Sequence, residues 1–382
     1  GMKSFFHNPK SKGKPKYYEV PIEIIEDKDA LKTHLNAKYK GWKLEETFDD
    51  TFDKIWAVSK DERNAIVGKD YQNHINKYAT SIEYTKHDKR SSDIEIEFLF
   101  EGELKESFAQ RVLNYFEQAD NHLQFLRDYK FKIDTTNTFP HSSGIASSAS
   151  SMGALSLGLC TIDSMVNVPL EGDDFNKKAS YLARLGSGSA CRSIYGGFAL
   201  WGKHNDFSGS SDEYAIPLIE DINPIYKNFK DTVLLLHKGE KKVSSSVGHD
   251  LIKHHPFKNQ RFELANDNIT KLKKVLENGD LTDFIEIVEA EALMLHALMM
   301  TSNPNFILFE PNTIEVIKKV WQFREDTRCQ LMFTLDAGAN VHVLYPRNEK
   351  SKVNQFIKNE LAKYCQKNQY ICDAVGFGAK KL

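Results

Sequence analysis

The chain has 382 residues, 41% hydrophobic and 27% charged, which is globular rather than disordered composition and suffices for one large or two ordinary domains. A net charge of -2 argues against broad nucleic-acid binding and leaves room only for a local basic pocket. Five scattered cysteines without knuckle spacing, no apolar secretory segment and no run near about 18 apolar residues predict a reducing, cytoplasmic setting without a membrane span.

Residues 1–16, rich in Lys, Pro and Ser, read as frayed, and 17–25 as a strand. A charged segment then leads to Gly41, Trp42 and Lys43. From 44 to 78 polar residues interrupt every apolar period, so loops and short helices are expected there. The alternation over 93–100 predicts a strand, and the three- and four-residue spacing over 107–126 a helix or helix pair. A second alternating strand, 130–137, runs into the Ser/Gly stretch HSSGIASSASSMG at 141–153, which passes into helix. The pattern over 175–194 predicts a helix closed by a Gly/Ser turn.

A boundary is placed near Gly209, giving domains 17–209 and 210–382. In the second, 231–239 reads as a buried strand, 257–300 and 313–328 as helical, 330–346 as a hairpin and 353–365 as a late helix. Strands and helices in both halves predict α+β layers.

Four stretches carry chemistry. In 141–153, glycines admit an anion to the backbone, serines add donors and the following helix start adds partial positive charge. A tight packing turn with capping serines is the competing reading, and a Walker A sequence is not present. In 186–193 (GSGSACRS), Arg192 can grip a carboxylate or phosphate through two bonds, or make a structural ion pair beside a core Cys191. Asp336, in the Gly/Ala turn of LDAGANVHV, is either a rigidly held base or the Asx cap of a hairpin. Lys241, Lys242 and Ser244 to Ser246 either line an anionic mouth or form a solvated loop. His249, His254 and His255 lack a recognised ligand pattern and read as surface residues.

In this order, FPHSSGIASSAS, ARLGSGSACRSIYGG, KKVSSSVGH, MMTSNPNF and FTLDAGANVHVLYP resemble the mevalonate diphosphate decarboxylase family, over roughly 130–378. That family belongs to the galactokinase, homoserine kinase, mevalonate kinase and phosphomevalonate kinase superfamily. The resemblance implies the two-domain small-molecule kinase superfamily fold. Its N-terminal domain is ribosomal-protein-S5-like and its C-terminal domain ferredoxin-like, with the last residues returning to the first domain. It also implies a homodimer, a phosphorylated small-molecule substrate, and ATP with Mg2+. The implied reaction is decarboxylation of mevalonate 5-diphosphate to isopentenyl diphosphate.

By the same resemblance Asp336 orients or deprotonates the C3 hydroxyl and Arg192 holds the substrate carboxylate. Ser187 and Ser189 meet the diphosphate. Ser143, Gly144, Ile145, Ala146, Ser147 and Ser148 hold the ATP phosphates, with Ser147 also toward the metal. The front departs from the family: the expected strand with two lysines is replaced by LEETFDDTFDKIWAVSK, where Lys54 and Trp56 echo the K-x-W core and Lys54 stands as the substrate lysine. A related kinase without decarboxylation, and a non-catalytic binding paralogue, are the alternatives.

Overall fold

In a computed structural model, the structure describes residues 78–137, 147–218, 222–237, 252 and 254–380. All of these belong to one compact unit, Asn76–Tyr370 with Ala374–Leu382, except Ile371–Asp373. The expected strand at 17–25 and the reading of 44–77 lie outside the described residues.

The first core is a sheet covered by helices. Its strands are β1 (Tyr78–Lys86), β2 (Glu95–Phe100), β3 (Glu103–Leu104) and β4 (Tyr129–Asn137), in the order β1-β4-β2-β3. β4 shows why it forms: Phe131, Ile133 and Thr135 are buried, while Lys130, Lys132 and Thr136 are exposed and Asp134 half-buried, the period of a half-buried strand. It runs antiparallel to β1 and parallel to β2. A parallel neighbour needs a crossover, supplied by α1 (Glu106–Ala119). That helix buries Val112, Tyr115, Phe116 and Ala119 at helical spacing. The periodicity over 107–126 therefore covers α1 and a separate short 3-10 turn, Gln124–Arg127.

Two further helices, α2 (Ser147–Val166) and α3 (Gly172–Gly186), complete this core. α2 is long and apolar enough to cross a membrane by length and composition. Its apolar side is occupied here: Ala149, Met152, Leu155, Leu159, Cys160 and Ile162 are buried in the core. The Gly/Ser turn after α3 is itself wound, as the 3-10 helix Gly188–Ile194. Next come paired strands β5 (Phe198–Trp201) and β6 (Ala215–Leu218), which the sequence reading missed; Gly209 lies in the loop joining them.

The second core surrounds β7 (Lys230–Leu234), β8 (Met332–Leu335), β9 (Val341–Tyr345) and β10 (Tyr370–Ala374), ordered β10-β7-β9-β8. β8 and β9 form the expected antiparallel hairpin. The helical pattern of 257–300 divides into α4 (Lys258–Asn278) and α5 (Leu281–Met300). Gly279, at φ +81°, ends the first, and the Asp280 side chain accepts from Thr282 N and Asp283 N to start the second. α6 (Pro311–Thr327) has Pro in its first turn and a capping box at Glu310 and Thr313. The late helix is broken: α7 (Lys350–Phe356) passes into a π turn and then a 3-10 turn.

Between α5, α6 and β8, buried Glu289 accepts from both guanidinium nitrogens of Arg324 at 2.6 and 3.0 Å. It also accepts from Trp321 Nε1 at 2.8 Å and Phe333 N at 3.3 Å. A carboxylate so deep is tolerable only with such partners.

Candidate functional site

The site is built on the start of α2. Ser147 and Ser148 open this helix, half-buried, where backbone N–H groups lack partners within the helix and attract negative charge. Ser143, Gly144, Ile145 and Ala146 lie outside the described residues, as do Lys54, Trp56, Lys241, Lys242, Ser244 to Ser246 and His249.

Small residues bring the Arg192 turn against α2. A Cβ on Gly153 would stand 3.0 Å from Ser193 Cβ, so glycine there permits the close approach. The decisive link is a hydrogen bond between Ser148 Oγ and Ser187 Oγ at 3.3 Å, which joins the two serine clusters across 39 residues of sequence. Ser187 is the C-cap of α3.

The turn is pinned from beneath. Buried Ser180 of α3 donates its hydroxyl proton to Cys191 O and accepts from Ala215 N, each at 2.9 Å. The Cys191 thiol donates to Gly188 O at 3.1 Å, and burial pushes its pKa up to about 11, with Arg192 pulling the other way. Cys191 is therefore core, as its bland reading held. Ser189 is half-buried and Arg192 exposed.

Asp336 stands on the other sheet, at the start of the turn between β8 and β9. Its carbonyl accepts from Gly338 N at 2.7 Å and from His296 Nε2 at 3.1 Å. His296 is buried on α5, stacked on Phe309 at 4.3 Å and 15°. Burial lowers its pKa, so the ring is neutral, and a carbonyl partner requires the proton on Nε2. Three more bonds fix the turn's far end: Thr313 Oγ1 to Ala339 O at 2.7 Å, and the reciprocal pair His237 N to Asn340 Oδ1 and Asn340 Nδ2 to His237 O.

Sequence reasoning overlooked His296, Thr313, Asn340 and Ser180. One signal for His296 was available: it falls seven residues after Glu289, in the otherwise apolar C-terminal part of the helix, a polar residue on a core-facing side. His255 corrects the surface reading: it is buried, its Nε2 against Thr301 Oγ1 at 2.9 Å and its Nδ1 accepting from Phe257 N. His254 is exposed as expected. Among the described residues no group of three or more His, Cys, Asp or Glu could hold a metal. A cavity of about 320 Å³ is lined by Phe207, Ile216, Leu218, Lys273 and Leu276.

Two family models match consecutive stretches. One is described as the diphosphomevalonate decarboxylase-like N-terminal domain and covers 72–215; the other, the mevalonate 5-diphosphate decarboxylase C-terminal domain, covers 232–376. The chain belongs to the diphosphomevalonate decarboxylase family.

The family match begins upstream of the 130–378 region that the motifs marked, and downstream of Lys54. A curated relative, diphosphomevalonate decarboxylase ERG19 of Gibberella zeae, is 27% identical over 238 residues, 61% of this chain and 59% of the relative. The chain thus spans less than two thirds of the curated relatives it matches first. The crystal structure of mevalonate diphosphate decarboxylase from Staphylococcus aureus is 28% identical, covering 80% of this chain and 87% of that one, with a TM-score of 0.66. MDDEF, solved in complex with MVAPP, AMPPCP and magnesium, is 28% identical over 78% of this chain and 85% of its own, with a TM-score of 0.64. These matches show the two-domain small-molecule kinase fold expected from the motifs.

Proposed function

We propose that the protein is an ATP-dependent decarboxylase of mevalonate 5-diphosphate. The observation that carries this reading is the Ser148–Ser187 hydrogen bond, which sets a helix start suited to phosphate against a turn that presents an exposed arginine. The ligands of MDDEF support the same substrate and nucleotide.

The chain's residues divide the work by charge. Ser147, Ser148 and the α2 N-terminus fit a polyphosphate, since hydroxyl and backbone donors and the positive helix end converge there, and Ser147 offers a hydroxyl oxygen to Mg2+. Ser143, Gly144, Ile145 and Ala146 are assigned by the family resemblance to the ATP phosphates as well. Ser187 and Ser189 donate to the substrate diphosphate, and Lys54 supplies a cation to it. ATP supplies the phosphoryl group that turns the C3 hydroxyl into a leaving group. Asp336 orients that hydroxyl and accepts its proton. Arg192 holds the carboxylate in the plane of its guanidinium until the C–C bond breaks. Phosphate then departs with its bonding electrons, CO2 leaves its pair behind, and that pair forms the new C=C bond. A cytoplasmic homodimer, with domains divided near Gly209, completes the reading.

The test is purified protein with Mg-ATP and mevalonate 5-diphosphate. Release of CO2 with ADP and phosphate, abolished in Asp336→Asn, supports the decarboxylase. ADP with a stable phosphorylated product identifies a kinase instead, and substrate binding without either product identifies a binding paralogue.

A further inference from the structure

The end of the chain crosses from the second core to the Arg192 turn. Val375 N donates to Phe229 O at 3.1 Å, just before β7, and Val375 packs on the cluster of Tyr226, Phe229 and Phe284. Within four residues the chain is paired with a different element. Gly197 N donates to Gly376 O and Ala379 N to Ser193 O, each at 2.9 Å, and Ala379 packs on the first core.

Two glycines interlock at this crossing. A Cβ on Gly196 would lie 2.5 Å from the carbonyl carbon and oxygen of Phe377. Gly378 has φ +80°, and a Cβ there would lie 2.5 Å from Tyr195 C and 2.6 Å from Gly196 N. The obstacles are backbone atoms, which cannot rotate aside as a side chain can. Gly376, two residues away, has nothing within 4 Å of its Cβ position. Phe377, between the two crossings, is 69% exposed, so burial of its ring does not hold the segment down. At Gly196 and Gly378 the two backbones are in direct contact.

We propose that residues 376–379 form a strap that positions the Arg192 turn for the substrate, with Gly196 and Gly378 as its positioning residues. Ser193, which accepts the strap's last hydrogen bond, directly follows Arg192. The strap follows Val375, which is bonded to Phe229 just before β7, and β7 pairs with β9 of the hairpin whose turn begins at Asp336. It thus ties the carboxylate-holding arginine to the element bearing the base, and a displaced strap releases the arginine from its working position. The catalytic consequence rests on the decarboxylase reading; the structural one does not.

Gly378→Ala, Gly196→Ala and the control Gly376→Ala, made in the full chain, test this with two readouts. The first two should raise KM for mevalonate 5-diphosphate about tenfold or more, with KM for ATP nearly unchanged. They should also speed deuterium exchange at the amides of 187–197, while Gly376→Ala matches wild type in both. Should either variant fail to fold, Phe377→Gly loosens the strap at an exposed position and should raise KM about threefold. Unchanged exchange at 187–197 in a folded Gly378→Ala protein, or equal effects of Gly376→Ala and Gly378→Ala, overturns the proposal. An inactive wild type would sink the decarboxylase reading alone, since the exchange readout needs no turnover.

Discussion

Replacing His296 by leucine removes a donor and a ring from behind Asp336. The lost bond from Nε2 to the Asp336 carbonyl, 3.1 Å long, is worth about 1 kcal/mol net. The near-parallel stack on Phe309 adds about 1 kcal/mol more, so stability should fall by about 2 kcal/mol. The turn keeps its bonds at Thr313 and Asn340, and Gly338 N still donates to the Asp336 carbonyl, but that carbonyl loses its side-chain donor. On the proposed role of Asp336 as base, we expect kcat to drop about tenfold or more with a smaller change in KM, because a base moved by a fraction of an ångström still permits binding. His296→Asn, which keeps a side-chain donor, should recover part of kcat.

Protonation gives an independent check. Burial depresses the folded-state pKa of His296 below the ordinary 6.5, so the unfolded chain takes up the proton first as pH falls. The neutral ring's contribution is therefore complete above pH 6.5 and is lost as pH falls from there toward the lower folded value. Urea unfolding from pH 7.5 to about 5 should show wild type losing stability more steeply than His296→Leu below that point. Parallel curves together with an unchanged kcat would refute the assignment.

Glu289→Ala strands Arg324 without its bidentate partner and should cost about 3 kcal/mol, read as a lower urea midpoint. Burial pushes the Cys160 and Cys329 thiols up to about 12 and Cys191 to about 11, and Cys365 is buried as well. A thiol reagent at pH 8 should therefore label Cys372 in the native protein and all five cysteines in denaturant; native labelling of Cys191 would contradict the packing of the turn. Ser187→Ala deletes the hydroxyl that meets Ser148 and should raise KM for the diphosphate substrate about threefold to tenfold, with the melting temperature little changed.

Much of this was legible in the sequence because it is local. Alternation fixed β2 and β4, helical spacing fixed α1 and α4 to α6, and of the small-residue stretches at 141–153 and 186–193 the described residues meet at Ser148 and Ser187. The order of those motifs also identified the family. The reading of 257–300 as helical was right in type; its break at Gly279 is a backbone matter of one left-handed residue and one capping aspartate.

What tertiary structure decided are the meetings of residues far apart in the chain. Ser148 reaches Ser187, His296 reaches Asp336, Thr313 reaches Ala339, and Ala379 reaches Ser193. Nothing in a local period says which carbonyl a buried polar side chain will find, because that depends on how two separately formed elements pack. His255 read as a surface residue for the same reason: its burial comes from Thr301 and the fold around it, not from its neighbours in sequence. The sequence alone determined which residue types could hold phosphate, carboxylate and proton. Packing of α2 against α3, and of the chain's end across the Arg192 turn, decided which of them stand together.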